Sequence, residues 1–193
     1  TSLAAGIPAT VEVEVLGEIS EQDTAVLELS ALKGLFADLS DEPVSYVNAP
    51  LLAAEKGIDV SLSSSPDSPD FKNLVRVKAA LADGTLVSVA GTLAGTRQRE
   101  KIVEVNGFHV DVLLAEHIAF FTYTDRPGVV GYLGGVLGDA KVNIAGMQVS
   151  RRREGEQALV VITVDEAIDS SVVTQIVAGV GASTGCTVDL IDA

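Results

Sequence analysis

The chain has 193 residues, 47% hydrophobic but only 4% aromatic and with no Trp, enough for one large or two small domains with cores of Val, Leu, Ile and Ala. Thirteen basic against 27 acidic residues give a formal net charge of -14, and with no basic stripe such a surface repels nucleic acid and anionic membranes. The apolar runs are too short to span a bilayer, no export signal opens the chain, it starts at Thr1 as a piece of a longer protein would, and a single cysteine, Cys186, excludes an internal disulfide and fits a reducing cytoplasm.

Val11, Val13 and Val15 alternate with Thr10, Glu12 and Glu14, which predicts a strand with one wet face ending at Gly17. Ser20 to Asp23 has the form of an N-cap with an acid at the third position. Val26, Leu29, Leu32, Phe36 and Leu39 follow at helical spacing until Asp41-Glu42-Pro43 closes that helix. A short strand is expected over residues 44–47. Asn48 as cap and Pro50 in the first turn then restart a helix that ends at Gly57. Residues 58–63 are extended again, and Ser63 to Asp70 reads as a surface loop. Two hairpins follow, with runs 74–81 and 86–93 about Asp83-Gly84 and runs 101–105 and 109–113 about Asn106-Gly107. Residues 6–114 are thus an α+β domain with an antiparallel sheet and two helices, followed by a short join.

Residues 117–193 read as strand (118–124), helix (128–139), strand (143–151), strand (158–165), helix (170–179) and strand (187–191). This βαββαβ order is the ferredoxin-like pattern. Both helices lie on one face, which leaves the other face or the edges free for a neighbour. Arg151-Arg152-Arg153 before Glu154-Gly155-Glu156 reads as a solvated hairpin turn of balanced charge.

The chemistry concentrates where the first of these strands meets its helix, at Tyr123-Thr124-Asp125-Arg126-Pro127-Gly128-Val129. Tyr123 and Asp125 are two apart on a strand, so both side chains leave one face, towards the mouth where the helix begins. Pro127 suits a first helical turn, and the N–H groups from Arg126 to Val129 would offer positive dipole ends to a carboxylate. Asp125 would take an ammonium, or cap the helix, or both, since a carboxylate has two oxygens. The arrangement suits a zwitterion. Asn143, ahead of Ile144, is either a turn-forming amide or a hydrogen-bond clamp.

These residues, with Val142-Asn143-Ile144, resemble the ACT domain of D-3-phosphoglycerate dehydrogenases. Ser30-Ala31-Leu32-Lys33-Gly34-Leu35-Phe36, Tyr46-Val47-Asn48-Ala49-Pro50 with Ala53-Ala54-Glu55-Lys56-Gly57, and Lys101-Ile102-Val103-Glu104-Val105-Asn106-Gly107 resemble the intervening, allosteric substrate-binding domain of the long form of that enzyme. The resemblance covers nearly the whole chain. It implies an ACT domain over 117–193 that pairs with a second copy and binds L-serine as a feedback inhibitor. The ligand residues would be Tyr123, Asp125, Arg126, Pro127, Gly128, Val129 and Ile144, with Asn143 from the partner subunit. It also implies catalytic domains ahead of Thr1 that hold NAD, and an anion site in the intervening domain, for which Lys101, Arg97 and Arg99 are the candidates. Phe108 and Leu113 stand where that site's further arginines are expected, which removes the bidentate grip on phosphate.

Other chemistry finds little support. Gly128, Gly131, Gly134, Gly135 and Gly138 lack the two-apart spacing of a dinucleotide fingerprint and read as a small-residue helix face for close packing on the sheet or on another subunit. His109 and His117 lack a companion cluster at metal-ligand spacing. Cys186 reads as core or near-core, and no Gly-x-Ser-x-Gly or Ser-x-x-Lys motif supplies a nucleophile. The expectation is therefore a piece with no catalytic centre, cofactor or metal of its own, whose partners are a small amino acid and further copies of itself. Two rivals are a regulatory module of an iron–sulfur L-serine dehydratase and a stand-alone amino-acid-binding or dimerisation module.

Overall fold

The protein, a computed structural model, is described over residues 3, 6–37, 39–40, 42–151 and 156–190. It divides into two compact units, one running to Gly107 and the other from Phe108. Among the described residues no helix is long and apolar enough to cross a membrane.

The first sheet contains β1 (Thr10–Gly17), β2 (Asp59–Ser65), β3 (Asn73–Ala80), β4 (Leu86–Ala94), β5 (Arg99–Val105) and β6 (Phe108–Leu113), in the order β2-β1-β3-β4-β5-β6. β1 alternates as its sequence requires, with Val11, Val13 and Val15 buried. Those valines form the first core with Leu32 and Phe36 of α1 (Ala25–Phe36), Ala49 and Ala53 of α2 (Ala49–Glu55), and Ile58. The sheet is antiparallel along β1-β3-β4-β5, whereas β1 and β2 run parallel. The intervening helices carry the chain back to start β2 beside β1, as a parallel crossover demands.

Both turn signals form. Asn106 and Gly107 have φ of 50° and 75°, the pair of positive values that a two-residue type I′ turn needs. Gly84 has φ of 87°, and Asp83 accepts from the Thr85 N–H at 2.9 Å.

Several local expectations fail. α1 does not start from Ser20, because residues Glu18–Glu21 wind into a 3-10 turn; Thr24 is the N-cap and Asp23 Oδ1 accepts the Ala25 N–H at 3.1 Å. Of the predicted helix face, Leu32 and Phe36 are buried while Val26 is exposed. Residues 44–47 form no strand. Asn48 folds its carboxamide back onto Ser45, accepting that N–H at 2.6 Å and donating to the Pro43 carbonyl at 3.0 Å, so local bonds replace a sheet neighbour. For the same reason Asn48 occupies the N-cap position of α2 without a side-chain cap. The Ser63–Asp70 loop is shorter than expected, since β2 runs to Ser65. Asp41 lies outside the described residues.

The second unit carries β7 (His117–Thr124), α3 (Val129–Asp139), β8 (Ile144–Arg151), β9 (Gln157–Val164), α4 (Ser170–Val180) and β10 (Thr184–Asp189), with sheet order β10-β7-β9-β8. This is the expected βαββαβ unit, with α+β class throughout. β10 begins earlier than predicted, and its predicted end, Ile191, lies outside the described residues. Ala119, Phe121 and Tyr123 of β7 and Ala158, Val160 and Ile162 of β9 share one face with Leu133 and Leu137 of α3 and Ile176 of α4. α4 is closed at both ends: Asp169 Oδ1 accepts the Ser171 N–H at 2.7 Å, worth about 1 kcal/mol for a cap of this type. Gly181 takes the left-handed conformation past its C-terminus, with φ of 62°.

Candidate ligand site at the end of β7

β7 runs antiparallel to β9, and β9 to β8, so β7 and β8 point the same way. Their C-terminal ends therefore lie together, with Asp125 just past Thr124 and Arg151 closing β8. Asp125 is tied down through its backbone, whose N–H donates to the Glu156 carbonyl at 2.7 Å. Its carboxylate accepts a hydrogen bond from Arg151 Nη1 at 3.2 Å. The Asp125 side chain is only 17% exposed, whereas that of Arg151 is 59% exposed. The bond reaches across β9, because Thr124 pairs with Gln157 and Arg151 with Ala158.

Three expectations about this mouth are corrected. α3 begins at Val129, so Pro127 stands in the turn before the helix rather than in its first turn. Asp125 does not cap α3. The N-cap is Gly128, left-handed with φ of 92°, which has no side chain to cap with, while Asp125 accepts from Arg151 instead. Tyr123 leaves the same face as Asp125 but not towards solvent: at 2% exposure it belongs to the core among Val129, Ala158 and Leu133. Burial first, and then the charge of Asp125, push its phenol above its ordinary pKa, so it stays protonated.

Arg126 reaches the other helix, its Nη2 donating to the Gly179 carbonyl at 3.4 Å. A cation at the C-terminal end of α4 meets the negative end of the helix dipole. Val129 is buried under the sheet, while Arg126, Pro127 and Gly128 are exposed. The mouth thus holds a carboxylate, a guanidinium and a helix start without a side-chain cap.

Asn143 is elsewhere in the chain. It precedes Ile144, which pairs with Val164 at the far end of β9, so Asn143 and Asp125 sit at opposite ends of the sheet. At ~3.3 Å per residue along β8 this is a separation of roughly 25 Å. The Asn143 amide Nδ2 donates to Asp165 Oδ2 at 2.5 Å, and the Asp165 N–H donates to the Asn143 carbonyl at 3.3 Å. At the same end His117 Nδ1 lies 2.6 Å from Asp189 Oδ1. Among the described residues no three His, Cys, Asp or Glu gather as a metal site needs.

Among the described residues the glycines of α3 do not serve close packing within the chain. A Cβ at Gly131, Gly134, Gly135 or Gly138 would meet nothing within 4 Å. Gly131, Gly135 and Gly138 are exposed and lie at helical spacing on one outward face. Tight packing occurs instead at Gly179 and Gly185, whose added Cβ atoms would strike Tyr132 and Val177. Sequence reading singled out neither glycine for packing.

In the first unit Arg97 lies in the β4–β5 turn, Arg99 opens β5, and Lys101 follows on the same strand paired with Thr92. The three cluster at one hairpin end. At the two ends of β6, which belongs to the second unit, Phe108 is buried and Leu113 exposed. A charged network missed by sequence reading runs across the neighbouring strands. Arg76 donates to Glu14 at 2.9 Å and Glu104 at 3.0 Å, and Lys78 bonds Glu14 and Glu12. Register explains it, since Arg76 sits opposite both Glu14 and Ala90, and Ala90 opposite Glu104. The small side chain of Ala90 lets the guanidinium reach over to the third strand.

Comparison with known proteins agrees with this architecture. A family profile described as "D-3-phosphoglycerate dehydrogenase intervening domain" matches residues 4–106, and one described as "ACT domain" matches residues 117–178. The chain is 40% identical over 184 residues to a D-3-phosphoglycerate dehydrogenase of Mycobacterium tuberculosis (strain ATCC 25618 / H37Rv), a match covering 95% of this chain and 35% of that protein. It is 38% identical over 182 residues to that of Mycobacterium leprae, covering 94% and 34%. It is 31% identical over 166 residues to that of Bacillus subtilis, covering 86% and 31%. The chain spans about a third of the length of these relatives.

Proposed function

The chain belongs to the D-3-phosphoglycerate dehydrogenase family, of which it carries the intervening domain and the ACT domain, and from that premise we propose that it is the allosteric part of such an enzyme, sensing L-serine between two paired ACT domains. Catalytic domains outside this chain would bind NAD and the phosphorylated hydroxy acid, in the cytoplasm.

The observation that carries the reading is the division of the site between the two ends of one sheet. Asp125 stands at one end beside the helix start that lacks a side-chain cap, and Asn143 at the other. A single chain cannot bring them to one small ligand, whereas a two-fold pair can. β8 is an edge strand, Asn143 precedes it and Arg151 ends it. Antiparallel pairing of two copies of β8 about a two-fold axis brings Asn143 of the partner subunit to the Asp125 end. The exposed glycine face of α3 leaves room for a close neighbour.

In the assembled site the ammonium of serine rests on Asp125 and its carboxylate on the N–H groups at the start of α3. Asn143 of the partner subunit hydrogen-bonds the remaining polar atoms. Serine then stabilises the paired arrangement by its differential affinity for it, and the catalytic cleft is held less able to turn over. Titration calorimetry of the chain with L-serine, D-serine, glycine and L-alanine, repeated on Asp125→Ala, tests this. Saturable L-serine binding that the substitution abolishes is expected; a folded, self-associated chain that binds none of the four contradicts the reading.

A further inference from the structure

We infer that Arg151 is a ligand-binding residue of this site, a guanidinium that shares with the N–H groups at the start of α3 the carboxylate of a zwitterion whose ammonium rests on Asp125. The inference builds on the amino-acid-sensing reading and assigns a role to a residue otherwise read as part of a solvated turn.

The geometry is a ready-made pair of opposite charges at the mouth. Arg151 Nη1 holds Asp125 Oδ2 at 3.2 Å. The carboxylate is shielded, at 17% exposure, while the guanidinium stands out into solvent at 59%. Among the described residues the bond uses Nη1 alone, and a guanidinium has five N–H donors in a planar fork. Arg151 can therefore keep Asp125 and offer its other edge to a second carboxylate. A ligand with an ammonium and a carboxylate on one carbon completes a closed ring of alternating charges, and the site stays neutral. An amine without the carboxylate places a second cation on Asp125 and leaves Arg151 uncompensated. The other arginine at the mouth, Arg126, is engaged 3.4 Å from the Gly179 carbonyl at the end of α4. Among the described residues that leaves Arg151 as the guanidinium adjoining Asp125.

The role predicts a specificity that a structural ion pair does not. Arg151 should discriminate zwitterions from amines, and Asp125 should be needed for both. Its position at the end of an exposed edge strand means its replacement should leave the fold intact, which thermal unfolding checks.

The test is calorimetric titration of the chain with L-serine and with ethanolamine, which lacks the carboxylate, for the wild type, Arg151→Gln and Arg151→Lys. The wild type should bind L-serine at least about tenfold more tightly than ethanolamine. Arg151→Gln should lose about tenfold or more for L-serine with ethanolamine unchanged or tighter, and Arg151→Lys should fall between, because lysine restores charge but not the fork. Unchanged L-serine affinity in Arg151→Gln overturns the inference while leaving the sensing reading intact. So does an equal loss for both ligands, which would make Arg151 only a support for Asp125. A wild type that binds no amino acid overturns the sensing reading and this inference together.

Discussion

The phenol of Tyr132 on α3 lies over Gly179 on α4: a Cβ added at residue 179 would come within 2.0 Å of the Tyr132 hydroxyl oxygen, which itself lies 3.4 Å from the Gln175 carbonyl. Beside the core residues that the two helices share, they meet through this ring and this missing side chain. Alanine at residue 179 should gain up to about 1 kcal/mol of helix propensity but must evict the ring. Gly179→Ala alone should therefore be neutral or destabilising, whereas in a Tyr132→Ala background it should stabilise by about 1 kcal/mol. Urea unfolding of the four variants in this double-mutant cycle measures the coupling, and additive effects would mean the ring does not rest there.

Asp165 holds the Asn143 amide through the 2.5 Å bond from Nδ2, and in the proposed site this would leave the amide oxygen to accept from the ligand. Asp165→Ala should leave Asn143 in place but free to rotate. Loss of one oriented hydrogen bond, about 1 kcal/mol, corresponds to about fivefold weaker L-serine binding. Titration of Asp165→Ala checks this, with Asn143→Ala expected to lose at least as much.

The charged network of the first sheet gives a defined response to acid. Burial of the Glu14 carboxyl works against its ionisation, but hydrogen bonds from Lys78 and Arg76 outweigh this and hold its pKa below the ordinary value of 4.5. A carboxyl depressed on folding contributes stability above its unfolded pKa, and that contribution is lost as pH falls through the folded value. Glu14→Gln should therefore be less stable than the wild type at neutral pH, with the gap closing below about pH 4.5. Urea midpoints at neutral and acidic pH decide it; a gap independent of pH would assign the loss to packing instead.

Cys186 should be unreactive in the folded chain. Burial pushes its thiol up to about 11. At pH 8 roughly one molecule in a thousand would then carry the thiolate that alkylating reagents attack. Iodoacetamide labelling should be slow in buffer and fast in urea, and equal rates would place the thiol at the surface.

Period and turn chemistry were legible in the sequence, since they depend on neighbouring residues. The valine alternation of β1, the Asn106-Gly107 and Asp83-Gly84 turns, and the βαββαβ order all appear as read. What escaped depends on register between distant segments. The Asp125–Arg151 pair is set by alignment across β9, and Asn143–Asp165 by the opposite end of the same ladder. Local alternatives also misled. Ser20 has the chemistry of a cap but is used in a 3-10 turn, and Asn48 bonds back to Ser45 rather than forward into α2. Tyr123 leaves the expected face, and that face is the core side of the sheet.

The central claim, a serine site shared by two chains, is tested most directly by mixing two defective variants. Asp125→Ala and Asn143→Ala should each fail to bind L-serine. A mixed dimer holds one site with both residues intact, because the surviving Asp125 and the surviving Asn143 come from different chains. The account predicts that calorimetric L-serine binding returns when the two variants are mixed and allowed to exchange subunits. A mixture that stays silent after exchange is shown by native mass spectrometry, or an Asn143→Ala chain that binds as the wild type does, would contradict it.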